Sequence, residues 1–483
     1  MISSYSRASL AIIFLLSVAL SVESTQDVEH RGGRKPSGHS VGGGDLRLGV
    51  YQNIVAFGAL GDGRTDNSEA LQQAINAGHA IIIPEGVFNF SKTLRLRKDS
   101  LITGVGKKST LRYTGAGVAL SEPEGSYVNG HDNLKLMNFT LTTGSASQVG
   151  IELINNYQVT LSGLYIDGAR QGFKTAGVHI IGSRPDQNSA IIRIIDGEIW
   201  FCLGDGVKIS GQGGSAGLWI ERNHISGNAY GVNQTLPSGR YPAVNIQIKN
   251  NVIEGNTRGA INAEALHASA ITGNYFENSD GSDVTLARIG NGGYAQGLNI
   301  SENNFGGKKA AYNIDMNGPA DVTGLIANNM FAGAAVAAIR IRTARGLIIE
   351  NNTLEPGTAP QVVELGAPSR SVWIKDLNRA AYISGAAEAQ PDLSVGGRLI
   401  LGGAASLRGV GGSAGELVET RTADGSRLAP HAAQYFKQAS GPTWMSGPGA
   451  PTGACVTGSL YTRTDGRAGS TLYVCEQSTW VAK

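Results

Sequence analysis

Asp205, Tyr230 and Arg258 are the residues whose types and spacing point to chemistry. Each heads a short stretch with similar wording: DGVKI at 205–209, YGVNQ at 230–234 and RGAIN at 258–262. AGVHI at 176–180 precedes them, and DVTLA at 283–287 and YNIDM at 312–316 continue them more loosely. Stacked as strands, these stretches would bring their leading residues into one line, so Asp283 and Tyr312 extend the row. A line that mixes carboxylate, phenol and guanidinium suits two ways of breaking a glycosidic bond. Hydrolysis needs two carboxyl groups, roughly 5–5.5 Å apart for retention and 6.5–9.5 Å for inversion. Asp205 would then take its partner from Glu264, Glu277, Asp280 or Asp283 on nearby strands. β-Elimination from a uronate needs a cation on the sugar carboxylate, which acidifies the C5 proton, and a base to remove that proton. Arg258 and Arg240 suit the first task through bidentate pairing, and Tyr230, Tyr241 or His267 the second. The irregular stretch NAYGVNQTLPSGRY (228–241) brings Arg240 and Tyr241 in on a loop.

Such a row requires a repeating scaffold, and the sequence supplies one. Six copies of one phrase run through the middle of the chain: LWIERNHISGN (218–228), IQIKNNVIEGN (246–256), SAITGNYFENS (269–279), LNISENNFGGK (298–308), GLIANNMFAGA (324–334) and LIIENNTLEPG (347–357). Their first aligned asparagines are Asn223, Asn251, Asn274, Asn303, Asn328 and Asn351. A period of 20–50 residues signals a solenoid. Apolar residues alternate with a spacing of two (Ile246, Ile248), and Asn-Gly punctuation excludes helical repeats. Each short strand must stack on its neighbours to bury a face, which makes the chain a parallel β-helix. The asparagines are expected to form an internal hydrogen-bonded ladder, with Tyr275, Phe276, Phe305 and Phe331 as stacked core aromatics. His224, between asparagines, is expected on the core side of a turn. Nine or ten rungs are expected between about 109 and 370, a stack about 45 Å long at about 4.8 Å per strand.

Composition agrees. The 483 residues include 68 glycines, and 16 % are charged, which suits tight turns and flat rungs. A net charge of +2 without a basic block argues against nucleic acid as a partner. Residues 1–24 read as a signal peptide, with Arg7 before the apolar stretch Ala8 to Val22. The expected location is therefore secreted or periplasmic, with no membrane span after signal removal. Residues 25–48, polar and Gly-rich, read as a flexible leader. Residues 371–440 read as a C-terminal extension and 441–483 as a small β-rich module, where Cys455 and Cys475 suit a disulfide in an exported chain. Cys202, in IIRIIDGEIWFCL, reads as a buried core thiol.

Residues 50–106 have a different grammar. Asp66 or Asn67 is expected to cap a helix whose apolar face is Ala70, Leu71, Ala74 and Ile75 and whose stop is Gly78. That helix would cover the open end of the stack, with Asp62 and Asp66 tying down turn amides. The order GDGRTDN, ALQQAI, IIIPEGVF, LRLRKDSLITGVG closely resembles the opening of the pectate-lyase-like superfamily of right-handed β-helices. That superfamily includes polysaccharide lyases, polygalacturonase- and rhamnogalacturonase-type hydrolases, uronate epimerases and phage tailspike depolymerases. The resemblance covers about residues 50–370 and implies an all-β, right-handed parallel β-helix (49–370) acting on a polysaccharide partner. In the polygalacturonase branch the catalytic aspartates occur in motifs of the form NTDGI and GDDCI. Asp205, in GDGV, matches one of those positions, and the neighbouring rungs carry Tyr230 and Arg258 instead.

A lyase on an acidic polysaccharide is therefore the leading expectation, with Asp205, Tyr230, Arg258 and His267 as catalytic residues. Arg240, Tyr241, Glu264, Asp283 and Tyr312 are expected to contact substrate. A glycoside hydrolase using Asp205, an epimerase and a non-catalytic carbohydrate-binding protein are the alternatives. No metal-ligand motif appears, so no cofactor is called for; the resemblance leaves room for calcium between sugar carboxylate and groove aspartates, and for a trimer like that of tailspikes.

Overall fold

The computed structural model describes residues 51–122, 132–185, 187–235, 243–286, 295–306, 310–317, 322–355, 361–365, 370–374, 381–383, 394–395, 399–401, 435–437, 443–467 and 471–483. Three long parallel sheets wind as a right-handed β-helix, each turn contributing one strand to each sheet in the order A, B, C. One turn, for example, is Tyr157–Ser162 in sheet A, Tyr165–Asp167 in sheet B and Ala176–Gly182 in sheet C. Among the described residues the sheets hold 15, 12 and 13 strands. Paired strands run from Gln52–Asn53 to Leu399–Leu401, on both sides of the 109–370 stretch where the repeat is plainest.

In-register stacking builds the core one column at a time. In sheet A, Leu161, Ile194, Ile220, Ile248, Ile271, Ile300, Ile326 and Ile349 lie over one another. All are buried, and each contributes about 1.5–3 kcal/mol by leaving water. Sheet B faces them with Ile199, Ile225 and Ile253, then Phe276, Phe305 and Phe331. Those rings stack with centroids 5.0 and 4.8 Å apart. Tyr275, expected in that core, instead faces outward, because a strand sends successive side chains to opposite faces.

The turn from sheet A to sheet B carries the asparagine ladder. A left-handed residue comes first, and the buried asparagine follows: Arg222 (φ 55°) before Asn223, Asn250 (φ 55°) before Asn251, Gly273 (φ 67°) before Asn274 and Glu302 (φ 61°) before Asn303. In the last two copies the left-handed residue is itself an asparagine, Asn328 (φ 56°) or Asn351 (φ 53°), and both are exposed. The ladder therefore runs through Asn329 and Asn352, not through Asn328 and Asn351. Each amide oxygen accepts from the backbone N–H and the Nδ2 of the preceding ladder asparagine, at 3.0 Å in the Asn303–Asn329 step. A second, shorter ladder at the turn into sheet C joins the Cys202 N–H to Asn228 and the Asn228 N–H to Asn256, both at 3.0 Å.

The N-terminal helix Ser68–Ala77 forms as expected and buries Leu71, Ala74 and Ile75. These meet Ile54, Ile81, Ile83 and Leu94 at the end of the core. Asp66 accepts the Ser68 N–H at 2.9 Å, while Asn67 bridges back to Leu60 instead of capping. Asp62 accepts the N–H groups of Arg64 and Thr65, which with the Thr65 hydroxyl hold its carboxyl down to about 2. At the C-terminal end, Tyr435–Lys437 joins four strands between Thr443 and Ala482 in a five-stranded sheet. Cys455 and Cys475 are disulfide-bonded there. Cys202 is the free, buried thiol.

Candidate functional site

Sheet C arranges the predicted residues, and its register decides which of them meet. The recurrent glycine of the strand openings faces inward at a tight corner. A Cβ on Gly177, Gly206 or Gly231 would come within 3.0, 2.9 or 2.5 Å of the Cγ2 of Ile199, Ile225 or Ile253. The residue before it faces out, and Asp205 and Tyr230 share that position. Tyr230 pairs with Gly259, however, so Arg258 lies one residue upstream of the row. Asp283 is displaced the other way, since Val284 pairs with Ile261 and with Ile314. A one-residue slip reverses the face of a side chain. Asp283 therefore points inward, 1 % exposed, with Asn313 Nδ2 donating to it at 2.9 Å. Burial pushes its carboxyl up to about 7. The outward row reads Asp205, Tyr230, Gly259, Ser282, Tyr312.

Asp205 is nearly buried and works as an acceptor. Asn233 Nδ2 donates to its Oδ2 at 2.8 Å, and the Tyr230 N–H to its Oδ1 at 3.3 Å. Asn262 Nδ2 donates in turn to Asn233 Oδ1 at 2.8 Å. Burial raises the Asp205 carboxyl above its usual range, opposed by the Asn233 hydrogen bond and by the charges of Lys208 and Arg258. Tyr230 leans over the bare Cα of Gly259, whose Cβ would meet the ring at 3.3 Å. Three residues into each strand a second outward row runs Glu152, His179, Lys208, Asn233, Asn262, Thr285, Asp315, Arg340. Burial and then the Lys208 charge push the His179 imidazole down to about 4, and its Nε2 lies 2.8 Å from Ser210 Oγ. Arg340 pairs with Asp315 at 2.8 and 2.6 Å and lies 4.0 Å over the Tyr312 ring.

The remaining predicted residues separate. His267 sits in sheet A, paired with Val244, away from the sheet C face. Glu264 follows the strand Gly259–Ala263 at the far end of the sheet C face, its N–H held by Gln234 Oε1 at 2.8 Å. Arg240 and Tyr241 lie outside the described residues. Lys208, His179, Asn233 and Asn262 form a second row that the residue leading each strand does not reveal. The alternation DGVKI, YGVNQ, RGAIN carries them in plain view at alternate positions.

A different surface lies on sheet B. His224 is there, not at the core side of a turn: its Nε2 meets Glu254 Oε1 at 2.8 Å and its ring meets Trp200 edge-on at 5.3 Å. Lys107 contacts both oxygens of Glu198 at 3.0 Å and lies 4.3 Å over the Tyr165 ring. Glu254 and Glu277 are register partners on adjacent strands, and Tyr275 Oη donates to Glu277 Oε2 at 2.8 Å. Sheet B thus carries Glu198, Glu254, Glu277, Trp200 and Tyr275 with Lys107 and His224, whereas sheet C mixes Lys208, His179, Tyr230 and Arg340 with Glu152, Asp205 and Asp315. No cluster of three or more His, Cys, Asp or Glu able to hold a metal occurs among the described residues.

A three-sheet parallel coil with asparagine ladders, an end-covering helix and a polar outer row defines a right-handed parallel β-helix. Residues 51–195 match the family described as Rhamnogalacturonase A/epimerase, pectate lyase-like. Over 107 residues, 22 % of this chain, the sequence is 31 % identical to the pre-neck appendage protein of Bacillus phage B103, and the match spans 12 % of that protein. The catalytic unit of a thermostable α-1,3-glucanase from Streptomyces thermodiastaticus is similar in fold, with a TM-score of 0.50, 14 % identity, and 76 % of this chain and 70 % of that one covered. The A-module of a mannuronan C-5 epimerase from Azotobacter vinelandii aligns with a TM-score of 0.42 and 16 % identity over 66 % of this chain and 99 % of that one. No helix among the described residues is long and apolar enough to cross a membrane.

Proposed function

We propose that this chain is an exported polysaccharide-degrading enzyme that binds an acidic polymer along the outer face of sheet C and cleaves it by β-elimination. The observation that carries the reading is the setting of Asp205, with Lys208 and Arg258 both acting on its charge and Tyr230 bonded to it through the backbone. Cations of this kind neutralise a uronate carboxylate and stabilise the carbanion character that develops at C5. Tyr230, acting as its phenolate, takes the C5 proton, the C–H electrons form the C4–C5 double bond, the C4–O bond breaks, and the phenol so formed returns that proton to the departing oxygen. From Lys208 to Arg340 the outer row crosses five strand steps, about 24 Å, which holds several sugars.

Hydrolysis at Asp205 is disfavoured by geometry. Glu152, the next carboxylate along the row on one side, is two strands away, about 10 Å, and Asp205 leans the opposite way, towards Asn233. On the other side Asp315 is four strands from Lys208 and already held by Arg340. A hydrolase reading finds its support on sheet B instead, where Glu254 and Glu277 stand on neighbouring strands, about 5 Å apart, with Tyr275 bonded to Glu277 and His224 joining Glu254 to Trp200.

The test is a panel of acidic and neutral polysaccharides followed simultaneously for reducing ends and for ultraviolet absorbance of a new double bond. Elimination gives both signals, and Tyr230→Phe lowers turnover by about 10²–10⁴-fold. Arg258→Ala is expected to weaken acidic substrates selectively. Reducing ends without absorbance, abolished by Glu254→Gln or Glu277→Gln and untouched by Tyr230→Phe, would replace this reading with hydrolysis on sheet B.

A further inference from the structure

At the corner between sheets C and A, away from the residues assigned above, two successive turns bring a set of buried oxygens together. Glu122 follows the strand Val118–Ser121, Asp132 precedes Leu134–Met137, and Asn156 lies between Val149–Ile154 and Tyr157–Ser162. Their exposures are 1 %, 0 % and 0 %. Both carboxylate oxygens of Glu122 and Oδ1 of Asn156 are buried without a hydrogen-bond partner, and Oδ1 of Asp132 meets the Lys98 ammonium. These groups face one another: Asn156 Nδ2 donates to Asp132 Oδ2 at 3.1 Å, and the Asp132 and Lys98 charges both act on Glu122. The other Asp132 oxygen also receives the Tyr157 N–H at 2.6 Å, so the Asp132 carboxylate is held in place.

Native interiors leave few such acceptors unpaired, and an isolated buried charge is costly. Lys98 supplies a cation here, its Nζ 2.8 Å from Asp132 Oδ1. It balances one of two carboxylates, and its side chain is 42 % exposed, so it can turn to solvent. The donor set is oxygen throughout, with two carboxylates and a neutral amide carbonyl. Hard divalent cations take that set, and calcium tolerates the irregular geometry that magnesium does not.

We propose that Glu122, Asp132 and Asn156 form a calcium site that ties two successive turns of the β-helix together at its C–A corner. Glu122 binds through both oxygens, Asp132 and Asn156 through Oδ1, and Lys98 withdraws when the ion enters. The site is independent of the catalytic reading, because it holds none of those residues and stabilises the scaffold whatever the reaction.

The experiment uses the purified full chain, stripped with a chelator and titrated with calcium chloride or magnesium chloride. Thermal unfolding and calorimetric binding are the two readouts. Calcium should raise the unfolding temperature progressively with concentration, and equal magnesium should do so much less. Glu122→Gln, which keeps shape and one carbonyl oxygen, should weaken calcium binding on the order of 10- to 100-fold or more. Lys98→Met, which removes the competing ammonium, should tighten it. The proposal is overturned if calcium leaves unfolding unchanged in the wild-type chain. It is equally overturned if Glu122→Gln retains the full calcium response, or if Lys98→Met abolishes it. A chain that ignores calcium while Glu122→Gln is more stable at pH 8 would identify Glu122 as a buried neutral acid instead.

Discussion

Asn328 and Asn329 are adjacent and chemically identical, yet their replacement should have very different consequences. Asn329 Oδ1 accepts from the Asn303 N–H and from Asn303 Nδ2, both at 3.0 Å, and its Nδ2 donates to Ile300 O at 2.9 Å. Asn329→Ala leaves the buried Asn303 N–H and the Ile300 carbonyl without these partners. Each such group costs about 1–3 kcal/mol, so the variant should lose about 2–6 kcal/mol. Asn328 is exposed, with φ at 56° and its N–H bonded to Glu350 O, a bond that any residue keeps. Asn328→Gly adopts that backbone freely and should stay within about 0.5–1 kcal/mol of wild type. Urea denaturation of the two variants, with amide exchange at Asn303 as a local readout, measures the contrast. Equal destabilisation, or unchanged protection of the Asn303 amide in Asn329→Ala, would refute the ladder as a source of stability.

Two further predictions follow from the core. Phe305 is fully buried between Phe276 and Phe331. Phe305→Ala should cost about 3–5 kcal/mol and Phe305→Leu less than half of that, by denaturation midpoint; a loss under 1 kcal/mol for the alanine variant would mean the stack is not tightly packed. Asp283 has a folded-state pKa of about 7 against an ordinary 3.8, raised by burial. The folded state holds that proton more tightly than the unfolded chain, so the contribution to stability is complete below about pH 4 and disappears as pH rises through 7. Asp283→Asn keeps the Asn313 contact, and its stability curve should lack this decline; an identical slope in both proteins between pH 4 and 8 would remove Asp283 from the account.

Much of the scaffold was legible because it rests on local rules. The period of the Asn-bearing phrase, the alternation of Ile246 with Ile248 and the Gly-apolar strand openings each reflect one turn of the coil. The apolar face of Leu71, Ala74 and Ile75 announces its helix for the same reason. The Cys455–Cys475 disulfide was legible from two cysteines flanking one β-rich stretch.

Register was not legible, because aligned words do not reveal a one-residue slip. RGAIN looks like YGVNQ, yet Tyr230 pairs with Gly259, which moves Arg258 out of the row. The opposite slip sends Asp283 inward, and the left-handed turn residue moves the ladder from Asn328 to Asn329. His224 and Tyr275 emerged on an outer face that no single repeat defines, since a face exists only when neighbouring strands are laid side by side. Composition and period by themselves determined a parallel β-helix with polar rows along its length. The tertiary structure alone decided which residues share a row, because a strand's period of two turns every one-residue shift into a change of side.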